Sequence, residues 1–285
     1  MAGMLLMPSD VLHPGRVDEH FAAEAAAARS AGIEVSLVDH DALAAGSAEP
    51  AIARVGGTGP AVYRGWMLRS EHYAGLEAAL RRRGVRLRTG AAQYRRAHEL
   101  PGWYPDFADL TPPSTWTTGT GRAGFDAAAR ELGAGPAVLR DHTKSMKHHW
   151  DEAAYVPELA DRDAAWAVAS RFVELRGSEL VGGFVLRRFE RFVSAEVRTW
   201  WVDGVCRLVG PHPDTADDLP AELPDPAGFG QVVGRLGLPF VTADLVRRDD
   251  GRWRLVELGD GQVSDRPRTV TADRFVAELI APQFG

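Results

Sequence analysis

The chain has 285 residues, 45% of them hydrophobic and 25% charged, enough to bury a sizeable core and to divide into two or three subdomains. Its 33 Lys and Arg stand against 39 Asp and Glu, a formal net charge of −6, which argues against a general nucleic-acid or membrane-surface binder and leaves any anionic ligand to local positive charge. Cys206 is the only cysteine, so an internal disulfide is excluded and a thiolate zinc site would lack ligands. The segment MAGMLLMPSD carries no basic leader and no small-residue cleavage pattern, and no stretch approaches a membrane span; the expected location is the cytoplasm.

Met4 to Met7 reads as a short buried strand, Asp18 to Ser30 as a helix closed by Gly32, and Ile33 to Val38 as a second strand. The Gly56-Gly57-Thr58-Gly59 run lacks a following Lys-Ser or Lys-Thr and is a flexible loop rather than a P-loop. A further round follows: a strand at Ala61 to Tyr63, a helix from Ser70 to Arg83 ended by Gly84, and a strand at Val85 to Arg88. This alternation predicts a parallel, doubly wound sheet. Arg64 and Gly65 sit at its carboxyl end, where such sheets place ligands; Arg64 either pairs with a substrate carboxylate or forms a structural salt bridge.

Leu100 to Thr118 holds Pro101, Pro105, Pro112 and Pro113, which break regular structure and mark a connection, so the domain boundary is expected near residues 90 to 110. Trp66, Trp103, Tyr104 and Trp116 are read as packing residues. Beyond the connection come a helix from Gly124 to Leu132, a strand at Ala137 to Arg140 and an amphipathic helix over Asp161 to Arg176. From Gly183 the pattern changes to strands at Phe184 to Phe189, Ala195 to Val202 and Val205 to Val209, with Asp203-Gly204 a hairpin turn. The acidic, proline-rich Asp214 to Pro226 is a surface loop, and Phe229 to Leu236 a helix. A last hairpin pairs Phe240 to Arg247 with Arg252 to Leu258 around Asp249-Asp250-Gly251.

That hairpin can project Asp244 and Glu257 from paired strands onto one face. Two carboxylates and a third oxygen suit a hard cation such as Mg²⁺; the plainer alternative is a pair of exposed carboxylates bonded to Arg247, Arg252 or Arg254. The segment FVTADLVRRDDGRWRLVELGDGQVSDRP resembles the closing metal-binding hairpin of ATP-grasp enzymes. The resemblance extends through VYRGWMLRSEHYAGLEAAL, LPGWYPDFADLTPPSTW, VLRDHTKSMKHHW and RRFERFVSAEVRTWWVDG, over nearly the whole chain. Their order and spacing resemble the ATP-grasp branch marked by two arginines and one lysine.

The resemblance implies an α/β and α+β protein. A doubly wound pre-ATP-grasp domain would cover residues 1–100 and an ATP-grasp domain 101–285, its subdomains of about 101–185 and 186–285 clamping ATP between their sheets. Arg140 ends a strand, and Lys144 and Lys147 lie three apart in the loop beyond. By resemblance, Arg140 takes the place of the usual strand lysine and the two lysines meet phosphates; a solvated basic loop is the plain alternative. His142, His148 and His149 form no metal cluster, because adjacent histidines share no face of a helix or strand. FVLRRFERF resembles the strand entering the adenine-reading hinge, which makes Arg188, Phe189 and Glu190 nucleotide contacts, Glu190 at the ribose. Glu196 and Arg198 share a strand face two residues apart. Arg198 can neutralise transferred phosphate or a substrate carboxylate, or the two form an ordinary surface pair.

The implied reaction is ATP- and Mg²⁺-dependent ligation of a small-molecule or peptide carboxylate to an amine through an acyl phosphate, with Arg198 and Lys147 catalytic. The alternatives are an ATP-dependent phosphotransferase and a nucleotide-binding pseudoenzyme. One departure stands out: the family often has Asn two residues after the metal Glu, where this chain has Gly259, which leaves Asp260 or Gln262 to supply the oxygen. Asp260 is the choice on charge, although it neighbours Gly259 and so points to the other strand face unless the glycines bend the chain. Ser264, with Asp265 and Arg266, either meets the acceptor substrate or simply forms a polar turn before Pro267.

Overall fold

The computed structural model describes residues 3–284. In chain order, strand and helix first alternate: β1 (Met4–Pro8), α1 (Ala22–Ser30), β2 (Glu34–Val38), α2 (His40–Ala44), α3 (Ala48–Ala51), β3 (Gly59–Tyr63), α4 (Ser70–Arg82), β4 (Val85–Leu87) and α5 (Ala91–His98). The middle of the chain holds α6 (Leu100–Phe107), β5 (Ser114–Trp116), α7 (Arg122–Leu132), β6 (Ala137–Asp141), β7 (Tyr155–Val156), α8 (Arg162–Arg176) and β8 (Phe184–Arg188). β9 (Val197–Val202), β10 (Val205–Pro211), α9 (Pro226–Arg235), β11 (Phe240–Arg247), β12 (Trp253–Asp260) and α10 (Ala272–Phe275) complete it.

These elements gather into two compact units. The first takes in the chain up to Ala97, Ala195–Leu245, and the chain from Glu257 on; the second is His98–Ser194 with Val246–Val256. No helix among the described residues is long and apolar enough to cross a membrane.

The first unit contains the predicted parallel sheet, in the order β2-β1-β3-β4. Its strands are short apolar runs because helices cover both faces. An antiparallel sheet, β10-β9-β11-β12, belongs mainly to the same unit. The β9–β10 turn puts Asp203 at φ +49° and Gly204 at φ +76°, the paired positive angles that suit a two-residue hairpin, and Asp-Gly tolerates both. A continuous core joins Leu5 and Met7 of β1, Phe21 and Ala25 near α1, Trp200 and Phe240 of the second sheet, and Phe275 to Ile280 at the C-terminal end.

The second unit is a four-stranded antiparallel sheet, β5-β8-β6-β7. Phe125 and Ala129 of α7 and Ala165, Ala169 and Phe172 of α8 pack on one face, against Ala137, Leu139, Phe184 and Leu186. Asp161 caps α8 by accepting the Ala164 N–H, at the residue where the helix was expected to begin.

The proline-rich connection departs from expectation, since Leu100–Phe107 is helical. Pro101 falls in the first turn, where a missing N–H costs nothing, and Pro105 is tolerated because Leu100, Trp103 and Phe107 are buried at helical spacing. α5 is likewise hidden in the sequence: QYRRAH looks polar, yet Tyr94 is buried, its ring stacked on Tyr73 with centroids 3.9 Å apart.

Arg64 is the most heavily engaged polar residue of the first unit. It is 1% exposed, and its Nε and Nη2 donate to both carboxylate oxygens of Glu24 at 2.6 and 3.0 Å. Nη1 donates to the carbonyls of Gln262 and Ser264 at 3.0 and 2.8 Å, and the guanidinium carbon lies 5.4 Å from the Phe21 ring centroid and 5.0 Å from that of Phe275. Truncating one member of a buried pair strands the other charge, so Glu24→Ala is expected to lower stability by about 3–5 kcal/mol. Urea unfolding followed by tryptophan fluorescence measures this; an unchanged midpoint would show that the pair contributes nothing.

Candidate functional site

The antiparallel register sets Asp244 of β11 directly across from Arg198 of β9, and Arg198 across from Gly210 of β10. Paired side chains share a face, so the guanidinium lies against the carboxylate: Nε donates to Oδ1 at 2.7 Å and Nη2 to Oδ2 at 2.8 Å. Gly210 offers no side chain on the other flank, and His212, just past β10, brings its Nε2 to 2.9 Å from Nη2 of Arg198 and 3.5 Å from Oδ2 of Asp244. Glu196 is anchored to this corner through its carbonyl, which accepts the His212 N–H at 3.1 Å, and its carboxylate lies 3.9 Å from His212 Nε2. Burial on its own would lower the Arg198 pKa, but the Asp244 charge and hydrogen bonds, with smaller contributions from Glu257 and Glu196, hold it above the ordinary arginine value. Arg198, Glu196, Asp244 and Glu257 form one electrostatic group, which joins the two pairs read from strand spacing, and His212 lies with them.

Donor chemistry at this corner fits a divalent cation. One donor atom each of Glu196, His212 and Asp244 lies within 4.8 Å of the others, and carboxylate oxygens suit a hard ion.

Asp260 is not in this group. It is 1% exposed, its Oδ1 accepts the Gln262 N–H at 2.8 Å, and it caps the short turn Gly261–Val263. This corrects the expectation of a third metal oxygen: Asp260 follows Gly259, so it points to the strand face opposite that of Glu257. Burial pushes its carboxyl up to about 7. Gln262, the other candidate oxygen, is buried too, accepting the Tyr63 N–H at 3.0 Å and donating to the Tyr73 hydroxyl at 3.0 Å.

Arg64 and Ser264 do come together, though as structure: the Ser264 carbonyl accepts from Arg64, while its hydroxyl lies 2.8 Å from Thr242 Oγ1 and donates to the Asp260 carbonyl at 3.2 Å. The Arg64 guanidinium is committed to Glu24 and has no exposed edge for a substrate carboxylate. The carboxyl end of the parallel sheet instead borders a cavity of about 160 Å³ lined by Asp10, Asp18, Asp39, His40, Asp41 and Trp66. Burial lowers the His40 pKa there, against the opposing pull of Asp41, Asp18 and Asp39.

In the second unit, Arg140 of β6 is buried and donates from Nη2 to the Thr143 carbonyl at 2.6 Å. Asp141 shapes the loop beyond: Oδ1 accepts the N–H groups of Thr143 and Lys144 at 2.7 and 2.6 Å, and Oδ2 accepts Nε and Nη2 of Arg176 at 3.1 and 2.9 Å. Fixed in this way, the loop turns, and Lys144 and Lys147 are both exposed. Asp141 is absent from the residues expected at the site, although an Asp two residues before a Thr-Lys pair is a turn signal.

Strand alternation separates the two arginines of β8. Phe184 and Leu186 pack under α7 and α8, so Val185 and Arg187 lie on the other face, across from Arg140 and Val138 of β6. Arg188 shares the parity of Leu186, and its guanidinium binds the carbonyls of Leu132 and Ala134 at 2.6 and 2.7 Å. Arg187, not among the expected residues, shares the face of Arg140 and donates to the Val256 carbonyl at 2.6 Å. Phe189 is half-exposed, its ring 5.4 Å from that of Tyr155, which stacks at 14° on Trp150. Glu190 is 7% exposed, its two oxygens accepting Nε and Nη2 of Arg254 at 2.8 and 2.9 Å.

Residues 131–279, more than half the chain, match the model of an ATP-grasp domain family, family 3 of the clade named for two arginines and one lysine. No protein with a curated description matches the chain. Among solved structures, it is similar to a RimK domain ATP-grasp protein from Sphaerobacter thermophilus, with 20% identity, a TM-score of 0.63, and coverage of 98% of this chain and 100% of that one. D-cycloserine synthetase DcsG is similar at 21% identity and TM-score 0.63, covering 99% and 100%. The ATP-grasp ligase PsnB, in complex with its minimal precursor, Mg and ADP, is similar at 14% identity and TM-score 0.58, covering 99% and 98%.

Because the Asp260 carboxyl is raised from 3.8 to about 7, the folded protein binds this proton more tightly than the unfolded chain, so its contribution to stability is full at low pH and is lost as pH rises through about 7. Asp260→Asn keeps an acceptor for the Gln262 N–H. The variant is expected to match the parent near pH 4 and to exceed it in stability near pH 8. Urea midpoints across that range test this, and a difference independent of pH would contradict it.

Proposed function

We propose that this chain, which belongs to family 3 of the two-arginine, one-lysine clade of ATP-grasp proteins, is an ATP- and Mg²⁺-dependent ligase that joins a carboxylate to an amine with release of ADP and phosphate. The observation that carries the reading is the Arg198–Asp244 pair with Glu257 beside it: a buried cation and two carboxylates at the centre of an antiparallel sheet. Such a group can hold a metal–phosphate complex and has no nucleophile of its own. Resemblance in fold to PsnB, whose structure contains Mg and ADP, and to D-cycloserine synthetase supports the same class of chemistry.

Asp244 and Glu257 would hold Mg²⁺, which would supply charge to offset that of the phosphates. Within the second unit, Arg140 and Arg187 share a strand face and Lys144 and Lys147 stand on the loop set by Asp141, a local positive charge suited to phosphate oxygens in a protein of net charge −6. The exposed Phe189 ring, backed by Tyr155 and Trp150, offers a flat apolar face on which a purine stacks. Arg64, Glu190 and Asp260 are left out of the machinery because each is buried in a pair or turn away from the Arg198 corner, and Arg188 because it lies on the strand face opposite Arg140.

In the reaction, a substrate carboxylate oxygen attacks the γ-phosphorus as the bond to the bridging oxygen breaks, giving an acyl phosphate and ADP. The amine then attacks the acyl carbon, phosphate leaves, and the amine proton passes to solvent or phosphate. Arg198 moves from Asp244 to the transferred phosphoryl oxygens and offsets their charge. Catalysis is positioning and charge stabilisation throughout.

A panel of acids and amines, read by ADP release and product mass, tests this. ADP formation should require both partners, and the product should weigh the sum of the two less one water. Glu257→Gln should lower turnover on the order of 10²-fold while far-UV circular dichroism stays unchanged. A stable phosphorylated product without an amine would establish a phosphotransferase instead. Nucleotide binding with no turnover on any pair would favour a binding module.

A further inference from the structure

Arg198 already shows where a cation sits at this corner. Its guanidinium takes both oxygens of Asp244, at 2.7 and 2.8 Å, and approaches His212 Nε2 at 2.9 Å. A guanidinium has only donors, so Nε2 must present its lone pair, which puts the ring proton on Nδ1. Nδ1 lies 3.9 Å from Oδ2 of Asp214 and 3.2 Å from the Asp214 N–H. The backbone N–H is the closer partner and calls for a lone pair on Nδ1, which a neutral ring with its Nε2 lone pair turned to Arg198 does not have; Asp214 Oδ2, at 3.9 Å, stands beyond hydrogen-bond reach. Nε2 is therefore the ring nitrogen directed at the cation's position, beside Oδ2 of Asp244.

β12 offers little else to a metal. After Glu257, the next residue of the same strand parity is Gly259, which has no side chain, and Asp260 is committed to the Gln262 amide. The neighbouring strands supply the shortfall, since donor atoms of Glu196, His212 and Asp244 lie within 4.8 Å of one another. Ligand atoms in an octahedral shell of radius about 2.1 Å stand about 3 to 4.2 Å apart, so a small contraction brings these three into range.

We propose that His212 is a nitrogen ligand to the divalent metal that accompanies the nucleotide, forming with Asp244 and Glu196 a mixed nitrogen–oxygen donor set that makes the chain prefer Mn²⁺ to Mg²⁺. The proposal rests on the ligase reading for the presence of a metal–nucleotide complex. Imidazole adds more to the binding of a first-row transition ion than to that of Mg²⁺, which favours oxygen donors throughout. When the metal takes these lone pairs, the Arg198 guanidinium is released from Asp244, and phosphate is the anion next available to it.

The test uses the full chain labelled with ¹⁵N-histidine, with Mn²⁺ and ADP, studied by pulsed electron paramagnetic resonance. ADP is chosen because its nitrogens are unlabelled. A ¹⁵N coupling of the size of a directly bound imidazole is expected, and it should vanish in His212→Gln. Titration calorimetry should show Mn²⁺·ADP binding weakened about tenfold in that variant, with Mg²⁺·ADP binding affected less. A wild-type spectrum without ¹⁵N coupling, while Mn²⁺·ADP binds, overturns the histidine ligand and leaves the ligase reading intact. Coupling that persists in a folded His212→Gln, or equal weakening for both metals, also overturns it. If neither metal–nucleotide complex binds at all, both readings fail together. The wild-type spectrum alone can decide against His212, so the proposal stays testable even if the variant does not fold.

Discussion

A guanidinium shut away from water must find acceptors for its N–H groups, and Arg64 finds them in two separate parts of the first unit. Glu24 near the start of α1 takes two, and the carbonyls of Gln262 and Ser264 after β12 take two more. Residues far apart in the chain are thus held to the end of β3. The same turn is fastened again where Gln262 accepts the Tyr63 N–H and its carbonyl accepts the Gly65 N–H at 3.2 Å. Buried ions are costly, and a pair of this kind persists only where nearly every bond is made. What it secures is the exit of β12, and with it the strand position of Glu257.

From that fixed end, the rest of the corner follows by register. Asp244 faces Arg198 because β11 and β9 pair without a slip between Phe240 and Leu245, whereas β10 carries a bulge between Cys206 and Leu208 before it reaches His212. An extra residue in a strand changes which face the later side chains occupy. The bulge therefore influences whether the imidazole lies on the side of Arg198. In the second unit, Asp141 does for the basic loop what Arg64 does for the β12 exit: one buried group, paired with Arg176, fixes the backbone that presents flexible cations.

Features set by neighbours in sequence were legible, and those set by distant partners were not. The Asp203-Gly204 turn, the Asp161 cap and the glycine stops after α1 and α4 follow from local backbone preference, and Gly32 and Gly84 carry the positive φ expected of them, +77° and +78°. The helix Leu100–Phe107 was hidden because its prolines count against it locally while the buried Trp103 and Phe107 decide in its favour. Arg64, Glu190 and Asp260 were chosen as chemistry on charge and position, but their environments come from Glu24, Arg254 and the turn at Gln262, which no spacing reveals. Arg187 could have been found by carrying the alternation of Phe184 and Leu186 one residue further. His212 could not, since its place depends on the bulge before it.

The core of the first unit has a bearing on how the chain is made. Leu5, Met7 and Phe21 leave the ribosome early, whereas Trp200, Phe240 and Phe275 to Ile280, which belong to the same packed cluster, are synthesised last. Until then, the early strands have one apolar face without its partners, and exposed faces of this kind are where chains associate wrongly. The intervening 98–194 segment has a core of its own, but its unit is complete only once Val246–Val256 has been made. The Arg198 corner, built from β9 to β12, likewise waits for those strands.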